Sequence, residues 1–143
     1  MDNFALEISD LRKVYSGGTE ALKGISLKVK EGDFYALLGP NGAGKSTTIG
    51  IIGTLVTKTS GTVKIFNNDI DQNVSIAKSI LGVVSQELNF SQFEKVIDIV
   101  TTQAGFYGIP KSVAKPKVEI MLKRLGLWDK RDDQARTLSG GYK

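Results

Sequence analysis

One stretch constrains the fold of this chain more than any other: Gly39-Pro40-Asn41-Gly42-Ala43-Gly44-Lys45-Ser46. It fits the spacing G-x-x-x-x-G-K-[ST], a pattern whose chemistry is the cradling of a phosphate chain. Gly39, Gly42 and Gly44 free the backbone to take positive φ and to approach a phosphate with no Cβ in the way. Successive N–H groups then converge on the phosphate oxygens as a nest. A helix opening near Gly44 adds its N-terminal dipole to the same anion. Lys45 brings an ammonium to the outer phosphates, and the Ser46 hydroxyl suits a Mg²⁺ that bridges two of them. The bland alternative is a glycine-rich turn between a strand and a helix. The flanks favour the phosphate loop. Phe34-Tyr35-Ala36-Leu37-Leu38 is a continuous apolar run, as in a strand buried on both faces with paired neighbours on both edges. Thr47 to Val56 reads as a helix, with Ile49, Ile52 and Val56 on one face.

Composition then removes whole classes of function. The 143 residues contain no cysteine and no histidine, so a disulfide framework, a thiolate zinc site and histidine-based catalysis are excluded within the chain. No apolar run is long enough to span a bilayer. The start, Met1-Asp2-Asn3-Phe4-Ala5-Leu6-Glu7, lacks the basic and apolar regions of a secretory signal. The net charge is +4, but bases and acids are mixed, as in Asp129-Lys130-Arg131-Asp132-Asp133. That pattern is a solvated surface rather than a one-sided basic stripe with stacking aromatics, and no nucleic-acid partner is expected.

Along the chain, Leu6 to Val14 alternates loosely as a first strand, and Ala21 to Val29 returns as the second arm of a hairpin. Thr62 to Phe66 is a further β-rich run, Ile70 to Ile80 a short helix, and Leu81-Gly82-Val83-Val84 a compact apolar strand. The character changes after Gln86. Phe93 to Tyr107 carries Val96, Ile97, Val100 and Ala104 at helical spacing, and Gly108-Ile109-Pro110 stops it. Pro116 to Leu125 reads as a second helix, with Val118, Met121, Leu122 and Leu125 on one face. The expectation is an α/β body with a helical arm inserted late. Residues 1–86 hold a β subdomain and the phosphate-loop core, and residues 87–143 the helical part.

Three landmarks now stand in order: Leu38 to Thr47, Gln86 at the end of an apolar strand, and Leu138-Ser139-Gly140-Gly141 closing a helical segment. Their order and spacing resemble the nucleotide-binding domain of ABC (ATP-binding cassette) proteins, a P-loop NTPase fold. The resemblance covers the whole chain. It implies an antiparallel β subdomain, a RecA-like core portion and a helical arm. Within the family, Gly39 to Thr48 and the stretch Gln103-Ala104-Gly105-Phe106-Tyr107-Gly108 look like the ATPase subunits of ABC-2-type multidrug exporters.

The resemblance also implies roles. Tyr15 would stack on adenine. Gly39, Pro40, Asn41, Gly42, Ala43, Gly44, Lys45, Ser46 and Thr47 would wrap the phosphates of ATP. Ser46 and Gln86 would serve Mg²⁺, and Lys45 and Gln86 the chemistry. Ser139, Gly140 and Gly141 would contact the γ-phosphate held by a second copy in a head-to-tail pair. The partners implied are that second copy and an ABC-2-type permease, with the protein cytoplasmic and peripheral on the inner face of the cell membrane.

Other readings of the same residues remain. Tyr15 alternatively covers the hairpin, Gln86 caps a strand end, and Ser139 to Gly141 form a chain tail. Tyr142 departs from the residues usual in the family's signature. The family's next elements, an apolar strand ending in Asp-Glu and a switch histidine, have no counterpart within these residues. The chain is therefore expected to be the N-terminal portion of an ABC ATPase, cut within the signature motif and inactive as it stands. The leading function is ATP binding and, in the full-length protein, hydrolysis that powers export. The alternatives are an ABC ATPase acting on ribosomes or DNA, and a nucleotide-binding module without hydrolysis.

Overall fold

A computed structural model describes residues 3–84 and 90–138. The chain divides into two compact units, Met1–Val83 and Val84–Lys143.

The first unit is built on an antiparallel sheet. Strands β1 (Phe4–Val14), β2 (Glu20–Lys30), β3 (Ser60–Ile65) and β4 (Asn68–Asp69) lie in the order β2-β1-β3-β4. β1 is the central strand, with Ile8 opposite Leu27 on one side and Val63 on the other. Its loose alternation has a cause. Ile8 and Leu11 are both buried although they are three apart. The register shifts between them, and Asp10 takes φ 45° there. A bulge of this kind inserts one residue and returns the next side chain to the buried face.

Helix α1 (Lys45–Ile52) follows the glycine-rich loop, and α2 (Val74–Ser79) follows β4. The core gathers Ile8, Leu11 and Leu22 from the hairpin, Val63 and Ile65 from β3, Ile51 from α1 and Ala77 from α2. The buried residues of α1 are Thr48, Gly50 and Ile51; of the expected stripe, Ile52 and Val56 pack partly buried against this core, whereas Ile49 is 53% exposed. Thr48 tolerates burial because its hydroxyl donates to the Gly44 carbonyl at 2.9 Å.

Two expected strands do not form. Residues 34–38 and 81–84 carry no strand pairing. Phe34 is fully exposed and Leu38 is 87% exposed, and Val84 is 98% exposed. A strand exists only as part of a ladder, and an apolar run fixes a wish for burial but supplies no partner. Among the described residues every strand ladder is antiparallel, and none takes in either segment.

The second unit is helical. Helices α3 (Val96–Phe106) and α4 (Lys111–Arg124) are followed by single 3-10 turns at Trp128–Lys130 and Ala135–Thr137. α4 begins earlier than its apolar spacing suggested and carries Pro116 inside it. Val96, Val118, Leu122, Leu127 and Leu138 form the core. Met121 and Leu125, expected on the buried face, are 54% and 60% exposed. The segment after α4 is strapped back across the start of α3. Arg136 N donates to Gln92 O at 2.8 Å, Ala135 N to Glu94 O at 3.0 Å and Val96 N to Asp133 O at 3.1 Å. No helix among the described residues is long and apolar enough to cross a membrane.

Candidate phosphate and base site

The loop Gly39–Ala43 leads into α1, so the site is a chain reversal that ends on a helix N-terminus. Gly44 is the N-cap residue at φ 86°. The first turn contains no acidic residue and receives no side-chain cap. Helix N-termini leave their first N–H groups without intrahelical partners, and these groups are the natural seat for an anion.

Glycine is required at two positions for different reasons. Gly44 lies against β2: a Cβ there would stand 2.5 Å from Leu22 Cδ2 and 2.7 Å from the Ala21 carbonyl. Gly42 has φ 83°, yet nothing lies within 4 Å of the Cβ it lacks. One glycine thus packs the loop onto the sheet, and the other keeps open space above the loop.

Lys45 reaches back over the loop. Its Nζ donates to the Gly39 carbonyl at 2.6 Å and to the Pro40 carbonyl at 2.7 Å. The ammonium is therefore held at the mouth of the loop by two neutral acceptors. A phosphate oxygen is a stronger acceptor for it, because charge-assisted hydrogen bonds are about twice as strong as neutral ones. Ser46 is exposed in the first turn, and its hydroxyl oxygen is of the type a hard divalent cation takes.

Tyr15 stands where β1 ends and the hairpin turns. Its N–H donates to the Thr19 carbonyl at 3.0 Å, and its carbonyl accepts from Gly18 N at 2.9 Å. The phenol oxygen lies 3.4 Å from Thr47 Oγ1, in the first turn of α1. The aromatic ring and the start of α1 therefore belong to one locality, although Tyr15 and Thr47 are 32 positions apart in sequence. Gln86, Ser139, Gly140 and Gly141 lie outside the described residues. Leu138, just before them, is buried in the helical unit.

Lys13 was not among the residues singled out from the sequence. Its Nζ lies 4.9 Å from the centroid of the Tyr15 ring and donates to the Thr57 carbonyl at 2.6 Å. The sequence held no direct signal for it: Tyr15 lies just past the end of β1, and the register shifts between Lys13 and Val14.

Comparison with known proteins follows the same lines. Residues 22–143 match the family model described as ABC transporter. The chain is similar to the linearmycin resistance ATP-binding protein LnrL of Bacillus subtilis, 35% identical over 96% of this chain and 44% of that protein. It is also similar to the daunorubicin/doxorubicin resistance ATP-binding protein DrrA of Streptomyces peucetius, 33% identical over 97% of this chain and 42% of that protein. Among solved structures it resembles cbiO1 from Clostridium perfringens, part of the ABC transporter complex cbiONQ. That likeness has a TM-score of 0.83 at 31% identity, over 98% of this chain and 57% of the other. The chain spans less than half the length of the two curated relatives.

Proposed function

We propose, because this chain belongs to the ABC transporter family, that it is the ATP-binding part of a transport ATPase, and that the full-length protein hydrolyses ATP to drive export through an ABC-2-type permease. One observation carries the reading. The Lys45 ammonium is drawn onto the Gly39 and Pro40 carbonyls at the uncapped start of α1. A cation, open space over Gly42 and a helix N-terminus converge there, as a polyphosphate requires.

In this reading the backbone of Asn41 to Thr47 wraps the phosphates and Lys45 holds the outer ones. The Ser46 hydroxyl serves Mg²⁺, whose part is to bridge and neutralise phosphate oxygens. Tyr15 stacks on the adenine. Gln86 attends the metal or the attacking water and senses the permease. Ser139, Gly140 and Gly141 reach the γ-phosphate bound by a second copy, so that two ATP molecules lie between head-to-tail partners. The protein then works on the inner face of the cell membrane, attached through its permease. Support for export comes from the relatives named as drug resistance ATP-binding proteins, and support for a membrane partner from the neighbour described as part of a transporter complex.

Isothermal calorimetry of Mg–ATP with the native protein and with Lys45→Ala tests the site. Removal of one charge-assisted contact should weaken binding by roughly 1.5–3 kcal/mol. Equal affinities would remove Lys45 from the phosphate site.

A further inference from the structure

We propose that Lys13 is a positioning residue for the nucleotide base: it occupies one face of the Tyr15 ring and leaves the opposite face to the base. The inference deepens the reading of Tyr15 as the stacking residue and rests on it.

The geometry is specific. Lys13 Nζ sits 4.9 Å from the ring centroid, inside the range of roughly 6 Å over which a cation is held by an aromatic face. The ammonium is not a loose surface charge. It donates to the Thr57 carbonyl at 2.6 Å, in the loop that follows α1. The same loop is tied to the end of β1 twice more: Val14 N donates to Thr59 Oγ1 at 2.9 Å, and Thr59 N to the Arg12 carbonyl at 2.9 Å. Lys13 thus sits between a fixed carbonyl and a ring whose backbone is fixed by the hairpin turn. The phenol oxygen, 3.4 Å from Thr47 Oγ1, sets the ring's far end.

A lysine on one face has two consequences. It restricts the ring to one orientation, so less rotamer freedom is lost when a base arrives. It also decides which face remains for a planar ligand, and Tyr15 is 41% exposed. An ammonium bound to the loop carbonyl does not itself reach for phosphate in this arrangement. Its effect should therefore depend on the presence of a base.

The test is calorimetry on the intact full-length protein, with ATP, GTP and inorganic tripolyphosphate as probes. The variants are Lys13→Met, Lys13→Gln, Lys13→Arg and Tyr15→Ala. Lys13→Met and Lys13→Gln should weaken ATP and GTP about two- to fivefold, the span of an exposed cation–π contact. Tripolyphosphate should bind them as it binds the native protein, which also shows that the loop is intact. Lys13→Arg should restore nucleotide affinity. In a Tyr15→Ala background, Lys13→Met should cost nothing more. The proposal is overturned if ATP affinity is unchanged, if ATP and tripolyphosphate weaken equally, or if the loss persists without the ring. Tyr15→Ala with undiminished ATP affinity would instead sink the stacking reading, and this inference with it.

Discussion

The two glycines of the loop make separable predictions. At Gly44 a methyl group meets both a left-handed backbone and β2, where Leu22 and the Ala21 carbonyl leave it no room. Gly44→Ala should cost the fold at least the roughly 1–3 kcal/mol of a strained backbone, read as a lowered melting temperature. At Gly42 only the backbone conformation resists, since the space beside it is empty. Gly42→Ala should cost about 1–2 kcal/mol of stability. It should also impair ATP binding, because the methyl group occupies the approach to the nest. A Gly42→Ala protein that binds Mg–ATP like the native one would show that the phosphates lie elsewhere. Tyr15→Ala makes a third prediction. Stacking tolerates any base and is worth roughly 1–3 kcal/mol per base, so ATP and GTP should weaken alike. A loss confined to one of them in parallel titrations would mean that Tyr15 reads a base edge. At this scale the sequence was informative, because loop chemistry resides in residue types at fixed spacing. The packing duty of Gly44 and the place of Lys13 were hidden, because both depend on segments far away along the chain.

At the scale of elements, Pro116 offers the clearest test. It lies on the exposed side of α4, where it removes one backbone donor from the middle of a helix. Pro116→Ala restores that donor and relieves the clash with the preceding turn. The helical unit should gain stability, by up to roughly 3 kcal/mol, seen as a higher melting temperature. A fall would mean that the proline ring carries contacts its exposure does not suggest. The same residue shows why boundaries were hard to read. A proline is an ordinary helix-start signal, so the expected helix began at Pro116 while the real one begins at Lys111. The hairpin was legible because Ile25, Leu27 and Val29 keep period two. The bulge at Asp10 was not legible, since only pairing with β2 and β3 shows where the register shifts. The segments 34–38 and 81–84 failed for a related reason: apolar character is local, whereas a strand is a relation between two segments.

For the whole molecule, the segment before the phosphate loop has a physical consequence. Phe34 is fully exposed, Leu38 nearly so, and Leu55 is 79% exposed. Apolar groups in such number outside the core are a surface that seeks cover. The polypeptide of residues 1–143 should therefore self-associate as its concentration rises. Phe34→Ser combined with Leu38→Ser should reduce that association in light scattering. A native chain that stays monodisperse and monomeric at high concentration would show that this surface is not adhesive. The helical unit presents the opposite case. Its strap brings residues 134–136 back onto residues 92–95, with Lys95 bridged to Gln134 and Arg136 N 2.8 Å from the Gln92 carbonyl. The two segments that bracket α3 and α4 thus lie side by side. Modules whose entry and exit adjoin are the ones that tolerate transplantation into a loop of another domain. Evolution can lengthen, trim or exchange the two-helix hairpin as one cartridge, and a protein engineer can splice a foreign hairpin into the same seam, with a gap one hydrogen bond wide to bridge.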